Sequence, residues 1–331
     1  MFYIILGHLF LFFVAPNHPD EAIWTILQYP LHVAVILFVL ISGYFGIKLT
    51  VKGLTHFLAL VFIIYTPLQI FDIAIDVTRQ SSYIDVIGGG KSLIYSFFFV
   101  SKSPYWFVRC YLWLMLISPM VNSFISNNSR RQLYLLLVTG FITVYMGLIN
   151  ASDGKNVLYF IFLYSLGTAL RQHIEHVRKI KTNFFSICYV ALNIIIIFAG
   201  CYIYGSDGYS LFEHLFYPYT SIGLILNAVL LFILTTRITF SSLVINKFAT
   251  GCFAMYIIHQ HGLILHRLIG PVVNIIDSYT HDKLILFVMY VLFSLLIMIL
   301  SYMAFVLLKK PIAFMERIFA KTFAPIVKLK E

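Results

Sequence analysis

Apolar residues in this chain come in long runs, and polar residues come in short clusters between them. Ten runs stand out, at about 1–15, 30–47, 54–71, 104–122, 133–150, 156–170, 183–204, 217–236, 250–268 and 284–308. Neither strict alternation nor a narrow apolar stripe organises them. A membrane-spanning helix needs about 20 mostly apolar residues. A helix is also the open structure that satisfies its own backbone in lipid. Each run therefore predicts one helix. Pro30, Pro104 and Pro218 stand at or near predicted starts, where a missing N–H does least harm. The expected fold is all-α, a polytopic transmembrane bundle of about ten helices.

Composition agrees. The 331 residues are 61% hydrophobic and 11% charged, with a mean hydropathy of +0.92. Soluble domains carry about 25% charged residues, and one core of this length has no room for so much apolar surface. The first residues, Met1–Pro16, lack the basic start and the small-residue cleavage site of a signal peptide. They are expected to be a membrane helix cut short at its start. Cys110, Cys188, Cys201 and Cys252 lie in apolar runs without metal-ligand spacing, so neither a disulfide framework nor a metal site is expected.

The net charge of +10 changes meaning once it is placed on this topology. With the N-terminus in the cytoplasm, Lys48, Lys52, Arg130, Arg131, Arg171, Arg178, Lys179, Lys181, Arg237, Lys247, Lys309 and Lys310 fall on inner connections. Asp20, Glu21, Asp72, Asp76, Asp85, Asp153, Asp207, Glu213, Asp277 and Asp282 fall outside. Basic residues mark the inner side, so both termini are expected in the cytoplasm and no nucleic-acid partner is needed. The outer connection 72–103 holds a glycine turn, Gly88-Gly89-Gly90, and an apolar stretch, 93–100, expected to be helical or re-entrant. Two regions are expected: a bundle over 1–310, and a cytoplasmic amphipathic tail over 311–331 with Ile312, Met315, Ile318 and Phe319 among lysines.

The runs contain no Asp or Glu, which disfavours a proton-coupled pump. They do contain His8, His32, Arg109, His259, His261, His266 and Arg267. His8 lies about 10 Å from the outer end of its helix at 1.5 Å per residue. An imidazole at that depth is either hydrogen-bonded to a neighbouring helix or used in chemistry. His259 falls at a similar expected depth, about 13 Å from the inner end. His261, two residues on, should point to a different face of the same helix. Arg109 is either an interfacial anchor or a fixed cation for an oxyanion. Gly90-Lys91-Ser92 lacks the upstream glycine of a phosphate loop, since position 85 is Asp. His173 and His176 sit in a basic inner connection and read as solvated.

Three stretches carry a resemblance. Phe38-Val39-Leu40-Ile41-Ser42-Gly43-Tyr44-Phe45 is similar to the second-helix signature of the acyltransferase-3 family of membrane acyltransferases. Trp106-Phe107, with Ser118-Pro119 closing the same run, resembles that family's fourth helix. Phe253-Ala254-Met255-Tyr256-Ile257-Ile258-His259 resembles its late Tyr-Leu-Ile-His motif. The order and the helix count match as well, and the resemblance is nearest to members that O-acetylate surface polysaccharides.

That resemblance implies a bacterial cytoplasmic-membrane O-acetyltransferase. Acetyl-CoA would be the cytoplasmic co-substrate, and a glycan or lipid-linked saccharide the acceptor. His8 occupies the place of the family's first-helix histidine, the implied general base. The basic residue eleven positions before that histidine would fall ahead of Met1. His259 or Arg109 would stabilise developing charge. Lys48, Lys52, Arg130 and Arg131 would hold CoA phosphates, with Tyr44 as a further contact. The rival reading is a transporter or flippase of lipid-linked saccharide. The missing internal repeat and membrane carboxylates weaken it.

Overall fold

The computed structural model describes residues 1–79, 91, 94–95, 105–127, 130–145 and 152–323. The glycine turn 88–90, most of the 93–100 stretch and tail residues 324–331 lie outside them. The described residues are mainly helical and contain no β-strand.

In chain order the helices are α1 (Phe2–Asn17), α2 (Ala22–Phe45), α3 (Val51–Arg79), α4 (Trp106–Asn127), α5 (Arg130–Tyr145), α6 (Val157–Lys179), α7 (Thr182–Ile203), α8 (Asp207–Phe216), α9 (Ile222–Thr235), α10 (Leu243–Thr250), α11 (Cys252–Gln260), α12 (Gly270–Tyr279) and α13 (Lys283–Phe323). All ten apolar runs carry helix. Among the described residues, five stretches are long and apolar enough to cross a membrane: Ala22–Phe45, Val51–Asp76, Trp106–Ser126, Thr182–Ile203 and Lys283–Thr322. α1 and α9 are apolar but shorter, and the last turns of α6 are polar. The run at 250–268 is not one helix. α11 stops at Gln260, and His261 turns extended (φ −64°, ψ 133°). A π-helical segment, Leu265–Ile269, then leads into α12. The segment expected to form a separate tail helix continues α13 through Pro311.

The chain divides into two compact units. The first comprises Met1–Ile5, Leu49–Arg109 and Ser241–Glu331; the second comprises Leu6–Lys48 and Cys110–Phe240.

In the first unit, α3 packs along α13, and α11 packs on both. The buried face of α13 runs Leu286, Tyr290, Ser294, Ile297, Ser301, Phe305. Those steps of three and four residues trace one helical stripe. The serines let a neighbouring helix approach closely, and Ser294 returns its hydroxyl to the Tyr290 carbonyl at 2.8 Å. Arg267 is neutralised within the unit: its Nε lies 2.9 Å from Asp72 Oδ1, and its terminal nitrogen bonds Asp76.

In the second unit, α2 packs on α6 and α9, and α7 on α9. The α2–α6 crossing brings backbone against backbone. A Cβ built on Gly43 would lie 2.0 Å from the Tyr164 carbonyl oxygen, and one on Gly167 would lie 2.2 Å from that of Leu40. Only glycine permits this approach. Charge is segregated along this unit. At one end Tyr204 bonds the Pro19 carbonyl at 3.0 Å, among Asp20, Glu21 and Asp207. At the other, Arg237 caps the end of α6 through the carbonyls of Val177 (2.7 Å) and Ile180 (2.9 Å). Arg237 thereby adds donors at a helix end, where backbone N–H partners run out.

Candidate functional site

The basic end of the second unit opens into a cavity of about 730 Å³. That is within the 300–1,000 Å³ range of pockets that hold organic ligands. Four elements line it: the end of α2 and the chain after it (Gly43, Phe45, Gly46, Ile47, Lys48), α4 (Asn122, Ile125, Ser126), the start of α5 (Arg130, Leu133) and α6 (Thr168, Arg171, Gln172).

Local sequence explains the shape. α2 ends because Gly46 takes φ +79° and ψ 125°, a conformation that side-chain-bearing residues rarely adopt. The released strand, Gly46 to Lys48, is then held by a closed ring of hydrogen bonds. The Ile47 N–H donates to Tyr164 Oη at 2.9 Å. The Tyr164 hydroxyl donates to Asn122 Oδ1 at 2.6 Å. The Asn122 amide donates to the Ile47 carbonyl at 2.9 Å. Thr168 adds a bond to the Gly43 carbonyl at 3.0 Å. Backbone groups freed by the helix end are thus satisfied without water.

Three cations border the cavity: Lys48, Arg130 and Arg171. Arg130 opens α5. Cations are disfavoured at a helix N-terminus because the dipole is positive there. Arg130 in that position, with Lys48 and Arg171 also lining the cavity, makes an electropositive mouth suited to an anion. Arg131 is exposed and is not among the lining residues. Arg171, Asn122, Thr168 and Gln172 line the cavity without having been singled out from sequence. The signal was present: Tyr164, Thr168, Arg171 and Gln172 follow i, i+4, i+7, i+8 spacing and so share one face of α6.

The remaining predicted residues are distributed as follows. Tyr44 packs edge-on against Phe232, with ring centroids 5.1 Å apart. Its neighbour Ser42 bonds the Phe38 carbonyl (2.9 Å) and Tyr111 Oη (3.1 Å). His8, half-buried in the second unit, lies in the last turn of the first α-helical part of α1, which ends at Leu9. The next five residues, Phe10–Val14, are π-helical, and the His8 ring lies 5.7 Å from that of Phe12. Single-turn π segments recur at functional sites because the widened turn redirects side chains.

Lys52, Arg109 and His259 belong to the first unit. Lys52 is exposed in the first turn of α3, and Arg109 is half-buried in the first turn of α4. His259 is 1% exposed. Its Nδ1 lies 2.7 Å from the Met255 carbonyl. A carbonyl only accepts, so Nδ1 carries the proton. The neutral ring then presents a lone pair at Nε2. This tautomer suits His259 to receive a proton. A donor to an oxyanion would need the proton on Nε2. Among the described residues, no group of three or more His, Cys, Asp or Glu side chains is placed to hold a metal ion.

No curated protein and no solved structure matches the chain. The sequence profile described as an acyltransferase domain, that of the acyltransferase 3 family, matches residues 1–306, which takes in all of the second unit, most of the first and every candidate residue named above. The chain belongs to the acyltransferase 3 family of membrane acyltransferases.

Proposed function

We infer that this protein transfers an acetyl or other short acyl group from acyl-CoA to a hydroxyl of a glycan across the bacterial cytoplasmic membrane. The observation that carries the reading is the cavity of about 730 Å³ with Lys48, Arg130 and Arg171 at its border. Coenzyme A is a polyanion with a long neutral arm. Arginine forks suit its phosphates, and lysine supplies a point charge. The basic end would face the cytoplasm, where the donor is found and where basic residues belong.

In this reading His8 is the general base. It takes the proton of the acceptor hydroxyl as that oxygen bonds the thioester carbonyl carbon. The C–S bond then breaks, and the proton passes to the CoA sulfur. Such a base contributes about 10²–10⁴-fold. Family membership supports the acyl transfer itself; the acetyl donor, the glycan acceptor and these residue roles are the proposal.

The test uses the full chain in lipid nanodiscs with radiolabelled acetyl-CoA and membrane-extracted lipid-linked glycan. Labelled glycan is the expected product. The K48A/R130A/R171A variant should bind acetyl-CoA at least tenfold more weakly. Unchanged affinity in that variant would remove the donor site from the proposal.

A further inference from the structure

The break between α11 and the π-helical segment leaves two side-chain atoms in need of partners. Its backbone is well provided for. The Ile257 carbonyl accepts from Tyr105 Oη at 2.9 Å, and the Ile258 carbonyl from the His261 N–H at 3.3 Å. The His261 carbonyl accepts from the Leu265 N–H at 2.8 Å. What remains is Nε2 of His261 and Oε1 of Gln260. Both are buried, and neither has a hydrogen-bond partner among the described residues. His261 is 1% exposed, with its ring 5.7 Å from that of Tyr65.

The tautomer of His261 follows from its one bond. Its Nδ1 lies 3.2 Å from the Leu263 N–H. A backbone N–H only donates, so Nδ1 must accept and the neutral ring carries its proton on Nε2. His261 is therefore the opposite of His259, two residues earlier, whose proton sits on Nδ1. The unpartnered groups at the break are thus one N–H donor, on His261, and one oxygen acceptor, on the adjacent Gln260. A buried donor or acceptor left unpaired is destabilising by about 1–3 kcal/mol, and native proteins keep few of them. A hydroxyl both accepts and donates, so one placed between the two groups would satisfy both.

We propose that the break at Gln260-His261 is a binding notch for a hydroxyl of the acceptor glycan: His261 Nε2–H donates to its oxygen, and Gln260 Oε1 accepts from it. This deepens the acyl-transfer reading and rests on it for the identity of the ligand. It assigns hydroxyl recognition to His261, a residue to which the sequence reading gave no role.

The experiment uses the full chain in nanodiscs with ¹⁵N-labelled histidine and n-octyl β-D-glucoside below its micelle concentration as the probe. His261→Phe, which keeps an aromatic ring without a donor, assigns the resonance. The expected spectrum shows His261 protonated at Nε2 and His259 at Nδ1. Octyl glucoside should move the His261 Nε2–H downfield, and octyltrimethylammonium, with the same tail and no hydroxyl, should not. His261→Phe and Gln260→Leu should each raise the octyl glucoside dissociation constant roughly tenfold. His261→Gln, which restores an N–H, should recover most of that loss. Acetyl-CoA binding should stay within twofold in all three. Protonation of His261 at Nδ1, an absent shift, or an equal response to both probes overturns the notch. If wild type transfers no acetyl yet the shift persists, the acyl-transfer reading fails and the notch stands.

Discussion

Asn122 and Tyr164 are hydrogen-bonded at 2.6 Å, and each also bonds the backbone of Ile47, Tyr164 at its N–H and Asn122 at its carbonyl. Residues from two helices thereby replace the helical bonds that Gly46 ends. The strand they hold carries Lys48 to the rim of the cavity. Tyr164→Phe removes the central hydroxyl and leaves the Ile47 N–H and Asn122 Oδ1 unpaired. A loss of about 1–2 kcal/mol is expected, with weaker acetyl-CoA binding. Thermal unfolding in detergent and titration calorimetry read the two effects. A Phe variant that matches wild type in both would show that the ring does not shape the site.

Gly43→Ala is expected to be far more severe than a typical glycine substitution in a helix. There the gain in helix propensity would be about 1 kcal/mol. Here the new methyl would meet backbone of Tyr164 at 2.0 Å, and backbone has no rotamer into which to retreat. The helices must separate, so a net loss of about 2 kcal/mol or more is expected. Gly167→Ala should behave alike. Yield of folded, monodisperse protein on size exclusion is the readout, and normal yield of either variant would contradict the close crossing.

The cations divide by position. Arg171→Ala, at the cavity, should raise the KM for acetyl-CoA roughly tenfold with little change in kcat, as expected for lost phosphate contact. Arg131→Ala, exposed beside it, should change KM by less than about threefold, through screened attraction alone. Raising salt should narrow the difference between wild type and Arg131→Ala first. Equal effects of the two substitutions would point to bulk charge rather than a built pocket.

His8→Ala should lower kcat by about 10²–10⁴-fold and leave acetyl-CoA affinity unchanged. Steady-state transfer assays with and without saturating acceptor measure this. Full turnover in the alanine variant would remove His8 from the mechanism.

Much of this protein follows from its sequence alone. Each of the ten apolar runs carries helix among the described residues, because lipid demands internally bonded backbone. The motif around Ser42-Gly43-Tyr44 and the late run ending at His259 pointed to the family that residues 1–306 match. Lys48 and Arg130, which the family resemblance singled out, both line the cavity. Other features were not legible, for a common reason: they depend on which helices cross. Gly43 and Gly167 become indispensable only because α2 and α6 meet at those two residues. Arg171 becomes a pocket residue only when α6 packs against the end of α2. The run 250–268 looks like one helix because hydropathy does not register a single extended residue. The tertiary structure decides that the helix stops at Gln260, with Tyr105 and Leu265 closing the exposed backbone. It also decides which nitrogen of each histidine holds the proton. Periodicity fixes which residues are helical, but a tautomer is set by the one neighbouring group that donates or accepts, and only packing supplies that neighbour.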